Sequence, residues 1–310
     1  MATSGSIDYS VSRDNIITES LQHCGVLGEG ETPSANQLTD CGRTLNIMVK
    51  SWINHGLHLW KITRATVFLE KDKTEYTLSS AGDNATESYV ETTTTAVAVA
   101  TDTVISMTSV TGMTAADNIL IILDDGSTHS STISSISTLD VTIGDALPSG
   151  AAIGSEVYAF TTKINRPLKI IDAFTRDSSN NDTDVDIFSR EEYWRLGYKP
   201  ASGRPTEIYY DPQLSSGVMR TFPTANNGTV TMEITFEDTL EDFDAAGDTP
   251  DFPQEWYEAL TYNLALRLSS KYGVPREEHR KIQDMAVYSL DMALGHDNEG
   301  TSVYLVPEVR

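Results

Sequence analysis

The chain has 310 residues, 39% of them hydrophobic, and a formal net charge of −23. That length supports one large domain or two moderate ones with buried cores, and the hydrophobic content excludes a disordered chain. No apolar run approaches the ~20 residues of a membrane-spanning helix, and residues 1–15 lack the basic-then-apolar layout of a signal peptide, so the expected site of folding is a cytoplasm.

Residues 12–27 predict a short helix, with Ile16, Ile17, Leu21 and Cys24 at helical spacing. Gly25, Gly28 and Gly30 end it in a turn. Residues 34–54 predict a longer helix. Ser34 and Gln37 have capping-box spacing behind Pro33, and Leu38, Cys41, Leu45, Met48 and Trp52 share one face. Two helices joined by so short a turn form an αα-hairpin. The pattern then changes to period two, with strands expected at 66–70 and 74–78 on either side of the turn Lys71-Asp72-Lys73.

Residues 86–160 are rich in Thr, Ser, Val and Ile and are divided by turn signals at Asp124-Asp125-Gly126, Gly144-Asp145 and Pro148-Ser149-Gly150. Strands are expected at 95–99, 104–107, 118–123, 130–136, 140–143 and 156–160. Short strands so spaced predict a small β-sandwich or barrel, inserted between the flanking segments. Strands return at 168–175, 184–188, 206–211, 218–222 and 229–237. Behind Pro253, the residues Trp256, Leu260, Leu264 and Leu268 repeat at helical i, i+4 spacing. A last helix at 276–294 is expected to turn Ile282, Met285, Ala286, Leu290 and Ala293 inward and to stop at Gly295. The tail after it has no helical pattern and carries Val303-Tyr304-Leu305-Val306-Pro307, an apolar run suited to a partner surface.

The expected fold class is therefore α+β: an α-helical bundle body of about four helices with a β-rich part, carrying an inserted small β-sandwich or barrel domain. Residues 1–85 and 161–295 would form the body, 86–160 the insertion and 296–310 a C-terminal extension.

The acidic charge is unevenly spread. Residues 74–162 hold eleven acids and no Lys or Arg, and residues 221–266 hold ten acids and again no Lys or Arg. A tight nucleic-acid binder needs the opposite sign facing phosphates. Such windows act either as a solvated surface that keeps the chain soluble or as one past which DNA slides without sticking.

Residues able to carry chemistry are scattered. Cys24 and Cys41 fit neither a zinc set nor a disulfide framework, and at apolar helix positions they read as small buried hydrophobes. His55 and His58 lack two further ligands nearby. Asp182, Asp184 and Asp186 resemble the opening of a calcium loop, but Ile187 and Tyr193 stand where that loop needs Gly and Glu. The glycines at 25, 28 and 30 follow a helix and sit beside Glu29 and Glu31, the wrong sign for phosphate. There is no P-loop and no nucleophile elbow, and with 45 acids the proximity of any two carries no signal. No enzyme activity, metal or cofactor is expected.

Several runs, taken in order, resemble the head-to-tail adaptors of podophages, the head-completion or tail accessory factors that join portal to tail. They are Arg13-Asp14-Asn15-Ile16-Ile17 through Cys24-Gly25-Val26-Leu27-Gly28-Glu29-Gly30-Glu31-Thr32-Pro33, then Leu45-Asn46-Ile47-Met48-Val49-Lys50-Ser51-Trp52. Arg166-Pro167 with Ile170-Ile171-Asp172-Ala173-Phe174 and Ile187-Phe188-Ser189-Arg190-Glu191-Glu192-Tyr193 follow. Gly203-Arg204-Pro205 with Tyr209-Tyr210-Asp211-Pro212, and Trp256-Tyr257-Glu258-Ala259-Leu260 with Tyr262-Asn263-Leu264-Ala265-Leu266-Arg267-Leu268, complete the set. The resemblance covers residues 12–83 and 163–294 and leaves out the insertion.

The resemblance implies a structural virion protein at the head–tail interface, assembled in the host cytoplasm as a homododecameric ring beneath the portal protein. Its implied partners are the portal, other copies of itself, tail nozzle or tubular proteins and tail fibres, with DNA passing through unbound and no membrane. Val303, Tyr304, Leu305 and Val306 would anchor the portal, and Glu237, Asp238, Glu241, Asp242 and Asp244 would line the lumen. Two rivals stand beside this reading. One is a tail-associated receptor- or glycan-binding protein, with the insertion as its binding module, and the other is a cell-wall glycosidase.

Overall fold

The computed structural model describes residues 5–53 and 59–297. In chain order the elements begin with α1 (Arg13–His23), α2 (Ala35–Trp52), β1 (Ile62–Phe68), β2 (Glu75–Leu78) and β3 (Ala85–Thr86). The insertion contributes β4 (Val90–Thr93), β5 (Val104–Ser106), β6 (Asn118–Ile122), β7 (Thr128–Ser137), β8 (Asp140–Ile143) and β9 (Glu156–Phe160). Then come β10 (Lys169–Arg176), β11 (Asp182–Asp184), β12 (Asp186–Phe188), α3 (Arg190–Arg195), β13 (Ser202–Gly203) and β14 (Glu207–Pro212). The series closes with β15 (Gly217–Phe222), β16 (Thr224–Ala225), β17 (Thr231–Glu237), α4 (Tyr257–Ser269) and α5 (Arg276–His296). These elements divide into two compact units, one from the chain's two ends, Met1–Lys61 with Leu240–Arg310, and one from its middle, Ile62–Thr239.

The first unit holds α1, α2, α4 and α5. Ser12 caps α1 by accepting from the Asn15 N–H at 3.2 Å. Ser34 and Gln37 form a complete capping box on α2, the Ser34 N–H donating to Gln37 Oε1 at 2.8 Å. Both caps satisfy N–H groups that a helix start leaves open. The core is built from Ile16, Ile17 and Leu21 of α1, Leu45, Met48 and Trp52 of α2, and Leu260, Leu264 and Leu268 of α4. Burying each such side chain contributes roughly 1.5–3 kcal/mol.

The second unit is a β structure. Strands β11-β10-β17-β1-β3 make a five-stranded sheet, β12-β14-β15-β2 a four-stranded one, and β13-β16 a two-stranded ribbon. Their shared core includes Val67, Tyr76, Ile208, Met219, Met232, Ile234 and Phe236. The insertion forms a six-stranded antiparallel sheet in the order β4-β9-β6-β7-β8-β5. Its two edges are drawn together by Thr95 N–H donating to the Ser106 carbonyl and Thr108 N–H to the Thr93 carbonyl, each at 2.8 Å. The sheet therefore curls around Ile105, Met107, Ile119, Ile121, Val141 and Val157.

Strand β6 is buried on both faces. Period two sends Ile119 and Ile121 into the curled core and Leu120 and Ile122 to the other side, against Phe68, Tyr158 and Phe160. The Phe68 and Phe160 rings stack with centroids 5.6 Å apart. The insertion is thus fastened to β1 by aromatic packing.

The expectation of an α-helical bundle body is overturned. Among the described residues seventeen strands in four sheets dominate, and four of the five α-helices belong to the end-derived unit. Strands from both sides of the insertion pair with one another, β1 with β17 along Ile62↔Glu237 to Phe68↔Thr231, and so build a core independent of the helices. The expected strands at 66–70 and 74–78 also part company, β1 joining the five-stranded sheet and β2 the four-stranded one. The intervening Asp72 has φ +62°, a left-handed conformation in which the chain turns out of one sheet into the other.

Candidate interaction surfaces

Helix α4 organises the first unit. The Ser20 hydroxyl donates to the Thr261 carbonyl at 2.9 Å, and the Cys24 thiol donates to the Ala265 carbonyl at 3.3 Å, so α1 lies along α4. Beside this seam is a cleft of about 310 Å³ walled by Tyr9, Tyr257, Tyr262 and His23 and carrying Glu19 and Glu258. Tyr9 and Tyr257 approach at 6.2 Å between centroids, and His23 stacks on Tyr262 at 4.4 Å. Glu19 and Glu258 are exposed and form no ion pair among the described residues. Aromatic walls with carboxylates at the rim favour a cation on an apolar stem.

Helix α5 packs on α4 by another face. The Asn263 side-chain amide donates to the Ala286 carbonyl at 3.1 Å, and Ile282, Ala286, Ser289 and Ala293 are buried. Successive helix residues lie ~100° apart, so Asn263 is ~200° round the axis from Thr261 and from Ala265. Helices α1 and α5 therefore flank α4 on different sides. Away from its buried face, α5 exposes Met285, Tyr288 and Met292 at 36%, 59% and 52%. These three follow i, i+3, i+7 spacing and form one stripe, with Lys281 a turn ahead. Met285 was expected inward, and its exposure is a correction. The period of α5 runs through Ile282, Ala286, Ser289 and Ala293, leaving Met285 beside the apolar face and outside the seam.

A third aromatic group has a packing role. Trp52, Trp60, Phe252 and Trp256 gather with centroid separations between 5.1 and 5.9 Å. Trp60 Nε1–H donates to the Asp251 carbonyl at 3.2 Å, and Lys61 pairs with Asp251 at 2.6 Å.

The proposed lumen acids fall into different settings. Glu237 ends β17 and is buried, while Asp238 is half-buried and accepts from the Thr239 N–H at 2.7 Å. Glu241, Asp242 and Asp244 are exposed in the connection leading to α4. Asp242 pairs with Lys50 of α2 at 2.9 Å. The Asp244 N–H donates to Asp248 Oδ2 at 2.7 Å, and the Glu241 N–H to Asp251 Oδ2 at 3.3 Å. Val303, Tyr304, Leu305 and Val306, and likewise His55 and His58, lie outside the described residues.

Both cysteines are buried and unpaired, burial pushing the Cys24 thiol up to about 11 and the Cys41 thiol upward as well. Asp182 is held by Arg176 at 2.8 Å, a hydrogen bond that keeps its carboxyl below the usual range. Asp184 ends the short β11 and Asp186 begins β12. Among the described residues, no group of three His, Cys, Asp or Glu side chains is placed to hold a metal ion.

Sequence reasoning missed the cleft. Its tyrosines come from an N-terminal stretch without periodicity and from α4 positions outside the Leu260-Leu264-Leu268 repeat. The available signal was Tyr257-Glu258 with Tyr262, aromatic and acidic residues outside the Leu260-Leu264-Leu268 repeat. The chain matches no protein-family model and no curated protein.

Proposed function

We propose that this protein is a structural virion component, a head-to-tail adaptor whose copies form a ring beneath the portal. One observation carries this reading. The helical unit presents two different uncovered surfaces on separate flanks of α4, the aromatic cleft beside α1 and the Met285-Tyr288-Met292 stripe of α5. A surface that is not self-complementary associates head to tail, and such contacts close into rings when the rotation allows. The resemblance to podophage adaptors, carried by residues 12–83 and 163–294, supports the same assignment. In this reading Val303, Tyr304, Leu305 and Val306 reach the portal, and a net charge of −23 leaves DNA free to pass. No described helix is long and apolar enough to cross a membrane.

Native mass spectrometry of the chain, alone and with the portal ring of the same virion, tests the proposal. A discrete complex with many copies per portal, lost on deleting residues 296–310, is the expected result. No association at any salt concentration would overturn it. A second reading, a receptor- or glycan-binding tail component, draws on the insertion. Val97, Val99, Val104 and Ile153 are all more than half exposed there, and Ala98 pairs with Ala151, so the chain segments bearing three of them run side by side.

A further inference from the structure

We infer that the cleft between α1 and α4 is the seat for the outer stripe of α5 from a second copy of the chain. The Lys281 ammonium meets the Glu19 and Glu258 carboxylates, while Met285, Tyr288 and Met292 pack on Tyr9, Tyr257 and Tyr262. This inference rests on the ring reading and names the contact that builds the ring.

Four observations converge on it. The first is charge. The cleft holds two carboxylates without ion pairs among the described residues, and the stripe is led by a lysine. Among the described residues Lys281 is engaged only by Glu278, at 2.8 Å and three residues away, with 71% and 54% of the two side chains exposed. Exposed pairs of that kind contribute little, so exchanging Glu278 for a pair of carboxylates beside aromatic rings costs little. The second is surface chemistry. Methionine thioethers favour contact with aromatic ring edges, and the cleft offers three tyrosines, none of whose hydroxyls is hydrogen-bonded among the described residues.

The third is length. The cleft takes Glu19 and His23 from α1 and Tyr257, Glu258 and Tyr262 from α4, little more than one turn of each, and the turn from Lys281 to Met285 at the head of the stripe has that length, ~6 Å. The fourth is placement. Cleft and stripe lie on separate flanks of α4, so each copy can offer its stripe to one neighbour and its cleft to the other. With −23 on every copy, mutual repulsion works against association. A contact that sets cation against anion at each interface supplies the register that unspecific apolar contact would lack.

The test is a charge exchange in the full chain, read by native mass spectrometry with the portal ring. Lys281→Glu alone, and Glu19→Lys with Glu258→Lys, are each expected to reduce the multi-copy complex at least ten-fold. The three substitutions combined in one chain are expected to restore it. Far-UV circular dichroism and thermal melting check that each variant folds. Should a charge reversal unfold the chain, Lys281→Gln and Glu258→Gln serve instead, each with a smaller expected loss. Single-surface variants that assemble like the wild type, or a combined variant that does not recover, overturn the seat and leave the adaptor reading standing. A wild-type chain that gives no multi-copy complex overturns both.

Discussion

Asn263 donates its side-chain amide to the carbonyl of Ala286 at 3.1 Å, across the seam between α4 and α5. The same amide donates to the Ala259 carbonyl of its own helix at 2.9 Å, so one polar residue ties the position of α5 to that of α4. A net hydrogen bond of this kind contributes about 1 kcal/mol. Asn263→Ala is expected to lower stability by about 1–2 kcal/mol, the small cavity adding to the lost bond. Urea unfolding followed by circular dichroism should show an earlier midpoint with an unchanged slope.

Lys73 joins two acids in the β unit, Glu70 at 2.8 Å and Asp83 at 2.7 Å. Burial works against its ammonium, but the hydrogen bonds to Asp83 and Glu70 outweigh that and hold its pKa above the ordinary 10.5. A lysine raised on folding stabilises fully below its unfolded pKa, and the contribution fades as pH climbs through the folded value. Lys73→Met is expected to cost about 1 kcal/mol at neutral pH. The gap between variant and wild type should then narrow in alkali, as melting temperatures compared from about pH 8 to about pH 11 would show.

Gly82 sits where no side chain fits. A Cβ there would lie 2.1 Å from the Thr77 carbonyl oxygen, and that carbonyl is held by the Asp83 N–H at 2.7 Å. Backbone on both sides of the clash leaves nothing free to rotate away. Gly82→Ala is expected to destabilise the β unit by about 2–4 kcal/mol. Gly247→Ala, where a Cβ would meet open space, provides the control and should melt within a degree or two of the wild type.

Phe68 fastens the insertion. It lies 4.9 Å from Tyr158, 5.3 Å from Tyr89 and 5.6 Å from Phe160, centroid to centroid, with Leu120 and Ile122 in the same cluster. Truncating a buried phenylalanine costs about 3–5 kcal/mol. Phe68→Ala should therefore loosen residues 86–160 first, because their curled core does not include this residue. Limited proteolysis is expected to yield an early cut near residues 86–89 or 160–163. A variant digested like the wild type would mean that other contacts hold the insertion.

Much of the local structure was readable from residues near in the chain. Ser34 with Gln37 announced a capping box, and the structure contains it. The strands expected at 140–143 and 156–160, beside the turn signals at Gly144-Asp145 and Pro148-Ser149-Gly150, are β8 and β9 at their observed bounds. The strand expected at 118–123 is β6, Asn118–Ile122. Such features are decided within a turn of helix or a few residues of strand, where spacing and capping act directly.

The partners of those elements were settled elsewhere. Nothing near Ile62–Phe68 shows that β1 lies between β17 and β3, or that β2 joins another sheet. Strand pairing is chosen by which apolar faces can be buried together, a property of the whole unit. The same reason hid the cleft and the stripe: Tyr257 and Met285 look alike as apolar positions of amphipathic helices, and only the packing of α1 and α5 on different sides of α4 leaves Tyr257 half-buried at the cleft and Met285 exposed. Composition and period therefore determined many of the elements and the acidic charge, though the strand expected at 95–99 is an irregular segment and β4 lies at Val90–Thr93. Tertiary packing decided which strands share a sheet and which helix faces remain for a partner, because burial depends on residues far apart in the chain.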